Sequence, residues 1–245
     1  MGRRRAVSAA ARLRPFWVVI AIGLGLAAIG GLCAVFWPGF YPRSFDVTGN
    51  RVVSRDEILQ HAAIAGNVNM WLQKPSTIAA RIEKIPYVAV AHVHRFPPAT
   101  IAISVRERTP FAVLRSGNHA VLVDRDLRVL QEVRDEPNLP VLQTRAGVGL
   151  PDGAFLVEPS VVALRDDYDA LTAAHVVPVE LSFDSYGGLV ATVRGGVRIL
   201  LGDDSVDLNK KLALVDPILA QVVRKERRVS AVDLRAPSTP VVVYK

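Results

Sequence analysis

The sequence predicts an α+β chain: a single N-terminal transmembrane helix, then a small β-α-α-β-β module, then a mainly antiparallel β domain interrupted by two helices. Three observations lead there. An uncharged run fills Phe16 to Trp37. Helical spacing and strand alternation follow one another in separate stretches before Pro110. Beyond Pro110 the chain breaks into short apolar runs bounded by turn residues, with two stretches of 3- and 4-residue spacing among them.

Composition supports the first of these. Of 245 residues half are hydrophobic and 22% are charged, yet the mean hydropathy is +0.26, which an apolar membrane segment explains. A single cysteine excludes an internal disulfide framework and any zinc or iron–sulfur site built from several thiolates. The net charge is +7, but Arg3, Arg4, Arg5, Arg12 and Arg14 all precede the apolar run. Setting those aside leaves 25 basic residues against 23 acidic ones. The rest is nearly neutral, which argues against a nucleic-acid-binding surface.

The uncharged run of about 22 residues, at a rise of 1.5 Å per residue, matches a hydrocarbon core of about 30 Å. Phe16 and Trp17 mark one end; Phe36, Trp37 and Tyr41 mark the other, as interfacial aromatics do. Pro15 and Pro38 frame it. The arginines on the amino side keep the short tail in the cytoplasm and send everything after Pro38 across the membrane. A cleaved signal peptide is the rival reading, although its apolar region would be shorter. Cys33 reads as a small apolar helix residue, since Leu32 is too bulky for a lipoprotein site. Gly23, Ala27, Ala28, Gly30 and Gly31 either admit a partner helix closely or reflect the tolerance of membrane helices for small residues.

In the exported part, Ser44-Phe45-Asp46-Val47 reads as a strand closed by a turn at Thr48-Gly49-Asn50. Ser54-Arg55-Asp56-Glu57 is a capping-box sequence, starting a helix that should end near Gly66. A second helix spans Ser76 to Ile85, with Ile78, Ile82 and Ile85 on one face and Pro86 as its stop. Val88 to Arg95 and Thr100 to Glu107 are two strands joined across Phe96-Pro97-Pro98-Ala99. In the second, Ile101, Ile103 and Val105 face one way, and Thr100, Ser104 and Arg106 the other.

The domain after Pro110 offers strands at Phe111–Leu114, His119–Val123, Arg128–Glu132, Val179–Phe183, Leu189–Val193 and Val197–Leu201, with Gly187-Gly188 and Gly195-Gly196 as hairpin turns. Its helices run from Ser160 to Thr172, with Val161, Leu164, Tyr168 and Leu171 in line, and from Leu208 to Val223, with Leu208, Leu212, Val215 and Leu219 in line. Asp203, Asp204 and Asp207 suit the amino end of the latter, and Pro217 would kink it or divide it in two. Val232-Asp233-Leu234-Arg235, a Pro-rich turn and Val241-Val242-Val243-Tyr244 close the sequence. The expected division is a basic tail over 1–15, the span over 16–37, the module over 43–109 and the β domain over 110–245.

Motifs for chemistry are sparse. His92 and His94 share a strand face, where two imidazoles can share a metal, but no third ligand is suggested and two solvated side chains is the alternative. Asp166, Asp167 and Asp169 lack the spacing of a calcium loop and read as a solvated helix face. No nucleophile elbow, HExxH or phosphate-cradling glycine loop occurs. No catalytic, cofactor-binding or metal residue is therefore assigned. The C-terminal run is more suggestive: apolar on both faces and blunted only by Pro240 and Lys245, it either completes its own sheet or offers a free edge to a partner strand.

Taken in order, several pieces resemble the FtsQ/DivIB family of bacterial cell-division proteins. They are Phe45-Asp46-Val47-Thr48-Gly49-Asn50, Val53-Ser54-Arg55-Asp56-Glu57-Ile58, Ile85-Pro86-Tyr87-Val88, Val93-His94-Arg95-Phe96-Pro97 and Val105-Arg106-Glu107-Arg108-Thr109-Pro110-Phe111-Ala112. Leu122-Val123-Asp124, Leu139-Pro140-Val141-Leu142 and Asp233-Leu234-Arg235 continue the match. Singly these are weak; in this order behind an N-in anchor they are specific.

The resemblance implies that the module is a POTRA domain and that the rest is the family's β domain. It implies a non-enzymatic divisome scaffold in the cytoplasmic (inner) membrane at the septum, working in an extracytoplasmic complex with FtsB/DivIC-like and FtsL-like proteins. It leaves open whether other divisome proteins use the POTRA module. The family receives the FtsB-type partner on its last strands, which nominates Arg235, Ala236, Ser238, Val241, Val242, Val243 and Tyr244 for partner binding. Arg235 would offer a bidentate guanidinium to a partner carboxylate, and Tyr244 is the candidate anchor because Ala236 stands where an aromatic is expected. Tyr87 replaces a frequent Trp, and Leu127 stands where the family's hairpin has Gly. The alternatives are a POTRA-bearing subunit of a transport or secretion apparatus, which would predict tandem modules or a barrel, and a membrane-anchored cell-wall enzyme, which would need a reactive cluster.

Overall fold

The apolar run forms helix α1, Ala9–Val35, in the computed structural model, which describes residues 9–133, 137–145, 147–202, 208–224 and 229–244. Arg3, Arg4, Arg5, Asp203, Asp204, Asp207 and Lys245 lie outside the described residues, as do the side chains of Arg12, Arg14 and Leu219. The 18-residue window Phe16–Cys33 has a mean hydropathy of 2.3, is covered nowhere by the protein and is long and apolar enough to cross a membrane. Pro15 is not a boundary. The helix runs through it to Ala9, because Pro removes one amide donor while Ala9, Ala10 and Ala11 favour the helix strongly. At the other end α1 stops at Val35, two residues before the expected Trp37. Pro38 forces Trp37 into an extended conformation (φ −68°, ψ 117°) and opens a 3₁₀ turn, Pro38–Phe40.

Two compact units make up the chain, one from residues up to Glu83 with Val90–Arg106, the other from Lys84–Ala89 with Glu107 onward. In the first, β1 (Ser44–Thr48) lies parallel to β3 (Thr100–Glu107), which is flanked on its other side by β2 (Val88–Phe96). The register sets Phe45 opposite Ile101 and Val47 opposite Ile103. Gly49, at φ +86°, closes β1, and a Cβ there would stand 2.0 Å from the Val105 carbonyl oxygen. Ser54 caps as expected, its Oγ accepting from the Glu57 amide at 3.1 Å, starting α2 (Arg55–Ala62).

That helix ends earlier than Gly66, at Ala63, whose left-handed φ of 47° turns the chain out. Helix α3 (Pro75–Ile82) likewise ends three residues before Ile85, because the residue preceding Pro86 is driven out of the helical region. Ile58, Ala62, Met70, Ile78, Ile82, Ile101, Ile103 and Val105 are buried, so each element contributes one apolar face. The Pro97–Pro98 bond in the β2–β3 turn is cis.

The second unit is a nine-stranded sheet with order β12-β11-β10-β9-β8-β7-β4-β5-β6. Its strands are β4 (Ala112–Ser116), β5 (His119–Val123), β6 (Val129–Glu132), β7 (Val141–Gln143), β8 (Pro178–Phe183), β9 (Leu189–Val193), β10 (Val197–Gly202), β11 (Val229–Asp233) and β12 (Val241–Tyr244), with α4 (Pro159–Ala173) and α5 (Leu208–Arg224) between them. Strand β7 was not foreseen as a strand, being too short to show a period. It pairs in parallel with both β4 and β8. Strand β4 starts one residue later than expected. Strand β6 starts at Val129, and Arg128 instead bridges to Phe155. Strand β11 begins three residues before the expected run and ends at Asp233, where Arg235 has already turned away.

Registers align one residue per strand into a single row across the sheet: Val121, Leu114, Leu142, Leu181, Ala191, Ile199, Val232 and Val242. All belong to or pack against one apolar core, together with Val161, Leu164, Tyr168 and Leu171 of α4 and Leu212 and Val215 of α5. Both helices lie on that face for a topological reason. Each crosses between adjacent parallel strands, β7 to β8 and β10 to β11, in the same direction, so the right-handed crossover rule sends both to one side. Helix α5 is continuous through Pro217, so of the two expected outcomes, a kink or a division, the division does not occur, and its buried stripe survives the loss of one hydrogen bond. The two glycine pairs lie in the hairpins as read, Gly187, Gly195 and Gly196 at φ of 84°, 89° and 75°.

Leu127, where the resemblance leads to the expectation of glycine, has φ +58° and is 1% exposed. Burying a leucine is worth about 1.5–3 kcal/mol, which offsets a left-handed penalty of about 1–2 kcal/mol. Its amide donates to the Asp124 carbonyl at 3.0 Å, and the Arg128 amide donates to Asp124 Oδ1 at 2.8 Å.

Comparison of Gly49→Ala with Gly117→Ala isolates the close approach at β1. Both positions have positive φ, but a Cβ at Gly117 meets nothing within 4 Å. Urea denaturation should show Gly117→Ala losing about 1 kcal/mol and Gly49→Ala losing clearly more; equal losses would show that the Val105 carbonyl is not the constraint.

Candidate partner-binding edge

Among the described residues, strand β12 has β11 on one side and no strand on the other. Its core-facing residue is Val242, half-buried at the end of the apolar row. Val241, Val243 and Tyr244 are 55%, 47% and 38% exposed. The strand is thus apolar on both faces, as the sequence suggested, and carries no charge from Val241 to Tyr244. The Val243 carbonyl accepts from Ser230 Oγ at 3.1 Å, and an uncharged edge of this kind is where another strand can add.

The β11–β12 turn is built from its polar residues. The Leu234 side chain is fully buried and its amide donates to the Leu200 carbonyl at 2.8 Å, prolonging the parallel pairing. Asp233 Oδ1 accepts from the Arg235 amide at 3.0 Å, and the Thr239 amide donates to the Ala236 carbonyl at 3.0 Å. Ala236 and Ser238 are exposed along the turn.

Arg235 is engaged within the chain. Its Nε donates to both Asp233 oxygens at 3.0 Å and its Nη2 to Oδ2 at 2.6 Å. The bidentate face is therefore engaged within the chain, and a partner carboxylate would meet Nη1 or displace Asp233. The hydrogen bonds from Arg235 hold the Asp233 carboxyl below the usual carboxylate range, and those to Asp233 raise the guanidinium above its ordinary value. The stem of Arg235 lies over Gly202, whose φ is +72° and whose added Cβ would stand 2.9 Å from Arg235 Cγ.

Beside Arg235 lies a cleft of about 530 Å³, lined also by Arg145, Asp184, Tyr186 and Gly202. Asp184 Oδ1 accepts from the amides of Tyr186 and Gly188 at 2.9 and 2.7 Å, fixing the β8–β9 turn and leaving Tyr186 90% exposed. Arg145 Nη2 donates to the Gly187 carbonyl at 3.1 Å and stacks on Phe183. Sequence reasoning took Gly187-Gly188 as a turn and passed over Tyr186; an aromatic at the tip of a polar turn was the available signal.

The remaining candidates are not drawn together. His92 and His94 are exposed on β2, and no group of three or more His, Cys, Asp or Glu placed for a metal occurs among the described residues. On α4, Asp166 pairs with Arg165 at 2.8 Å and Asp169 with Arg125 at 2.9 Å. A more buried network surrounds Arg108, which pairs with Asp124 and, at 3.0 Å, with Asp126. Burial works against the Arg108 cation, but the bonds to the two aspartates outweigh it and raise its pKa. Arg108 and Arg128 both stack on Phe155 at 5.1 Å.

Residues 40–108 match the family model described as POTRA domain, FtsQ-type. Residues 112–235 match that described as Cell division protein FtsQ/DivIB, C-terminal. The chain belongs to the FtsQ/DivIB family. The second match ends at Arg235, so β12 lies beyond it. Cell division protein FtsQ of Syntrophotalea carbinolica is 30% identical over 190 residues, 75% of this chain and 66% of that protein. FtsQ of Corynebacterium glutamicum is 22% identical over 204 residues, 80% of this chain and 87% of the relative. FtsQ of Mycolicibacterium smegmatis is 34% identical over 101 residues, 41% of this chain but 30% of the relative. The matches thus span just under two thirds of the Syntrophotalea protein and less than a third of the mycobacterial one. The family's POTRA and C-terminal β domains accordingly correspond to the β-α-α-β-β module and the nine-stranded sheet.

The Asp233–Arg235 pair has a defined pH signature. A depressed carboxyl pKa contributes stability that is present above the unfolded value, about 3.9, and lost as pH falls through the folded one. Asp233→Asn should therefore be slightly less stable than the parent at pH 7, and the gap should begin to narrow below about pH 4, be lost as pH falls through the lower folded-state value, and shrink in high salt. Denaturation midpoints across pH check this; a gap that does not narrow at all as pH falls below the unfolded value would assign the loss to the turn hydrogen bond alone.

Proposed function

We propose that the protein is a membrane-anchored, non-catalytic scaffold of the division machinery. Helix α1 fixes it in the cytoplasmic membrane with its amino end inside, and the β-rich unit outside receives a strand from an FtsB/DivIC-like protein held with an FtsL-like one. The observation that carries this reading is the β12 edge, where Val241, Val243 and Tyr244 are exposed on the strand whose Val242 completes the apolar row. Family membership supports the division role. The arginines before Phe16 support the orientation. An added strand would contribute backbone hydrogen bonds for affinity and side-chain contacts for register, with Ala236, Ser238 and Arg235 lying where the partner's chain would leave the edge. Tyr244 supplies the rigid aromatic surface on which such interfaces concentrate their energy.

Val242 and Val243 separate the fold from the function. Val243→Asp places a charge on the exposed face of the edge, and should weaken capture of FtsB- and FtsL-like proteins by the detergent-solubilised full chain by on the order of tenfold. Its thermal midpoint should stay close to the parent's, as expected for a surface position. Val242→Ala should lower the midpoint, since it removes core contacts. Undiminished capture by Val243→Asp would move the site off β12; no capture by the parent chain would end the scaffold reading.

A further inference from the structure

We infer that the loop between α2 and α3 is a second membrane contact, in which Trp71 and Leu72 enter the interfacial layer of the bilayer beside the outer end of α1. This rests on the membrane-spanning reading of α1. Three observations within the first unit lead to it.

The loop is tied to the helix end. Asn69 Nδ2 donates to the Val35 carbonyl at 2.9 Å, and the Met70 amide donates to the Phe40 carbonyl at 2.9 Å. Val35 lies two residues beyond Cys33, the last residue of the apolar window, or about 3 Å along the axis. Trp71 follows Asn69 by two residues, so its Cα lies within about 7 Å of that level. The interfacial layer outside a hydrocarbon core is itself about 5–7 Å deep.

The two side chains are turned outward. Met70 is fully buried, whereas Trp71 and Leu72 are 49% and 58% exposed, an arrangement that leaves adjacent apolar groups in water unless lipid covers them. The loop is also held in place. Arg95 Nη1 donates to the carbonyls of Met70, Trp71 and Gln73 at 3.3, 3.1 and 3.4 Å, and its guanidinium stacks on the Trp71 ring at 4.9 Å. Pre-ordering of this kind reduces the entropy lost on insertion.

The surroundings suit anionic headgroups. No Asp or Glu occurs between Glu57 and Glu83, a stretch that holds Lys74 and Arg81. Lys74, two residues after Leu72, is exposed, and exposed Arg43 follows the 3₁₀ turn. Tryptophan with flanking cations is the composition that interfaces retain.

Trp17, Trp37 and Trp71 are the three tryptophans of the chain, which makes depth quenching the test. The full chain would be reconstituted in vesicles of phosphatidylcholine and phosphatidylglycerol carrying bromine near the headgroup end or near the terminus of the acyl chain. One protein carries Trp17→Phe and Trp37→Phe, leaving Trp71; the other carries Trp37→Phe and Trp71→Phe, leaving Trp17. Trp71 should be quenched about twofold or more strongly by shallow bromine than by deep, as an interfacial tryptophan is. Trp17 emission quenched by lipid while Trp71 is untouched would overturn the inference and leave the anchor standing, and would point to a protein as the loop's cover. Both tryptophans untouched would overturn the spanning reading of α1 and this inference with it.

Discussion

The β-rich unit depends on one constraint, the register that aligns an apolar residue of every strand of its sheet except the edge strand β6 into one row. Val121, Leu114, Leu142, Leu181, Ala191, Ile199, Val232 and Val242 come from segments far apart in sequence. A shift of one residue in any strand would move its member of the row to the opposite face. Because α4 and α5 cover that face, such a slip exposes apolar side chains and buries polar ones together. The row therefore selects the register, and the two right-handed crossovers place the helices that make it selective.

The two ends of the sheet are finished differently. At β6 the outer side is partly closed: the Val129 amide donates to the Ala154 carbonyl at 2.9 Å, and the Gly153 amide to the Val129 carbonyl at 3.1 Å. At β12 no further strand follows among the described residues. Val242 meets the core on one face only, so the strand that completes the row also carries its exposed valines. Natural edges are commonly blunted by charge or proline; here Pro240 precedes the strand and nothing charged lies between Val241 and Tyr244. This asymmetry, together with an Arg235 that is already paired, makes backbone addition a better description of the proposed interface than a salt bridge.

Electrostatics serves the turns. Asp124 accepts from the Arg128 amide while pairing with Arg108, so the turn at Leu127 is held by a buried charge pair. Asp184 and Asp233 act similarly at the β8–β9 and β11–β12 turns, each accepting backbone amides two residues on. Breaking one partner of a buried pair leaves an uncompensated charge, so the Arg108–Asp124 contact is more sensitive than the exposed Arg235–Asp233 one.

Local chemistry was legible in the sequence. The uncharged run, the Ser54 cap, the alternation of Ile101, Ile103 and Val105, the glycine hairpins and the stripes of α4 and α5 each depend on neighbours within a few residues. So did the apolar character of Val241 to Tyr244, and hence the nomination of that strand. Helix ends differ from the sequence expectation ahead of a proline, at Ile85 before Pro86 and at Trp37 before Pro38. Only tertiary structure decided the rest, because pairing is non-local. It made three-residue β7 a central strand by setting β4 and β8 on either side, carried α5 through Pro217 because its stripe was buried, and turned Arg235 onto Asp233. It also brought Asn69 to the end of α1 and Tyr186 beside Arg235, juxtapositions that no spacing along the chain encodes.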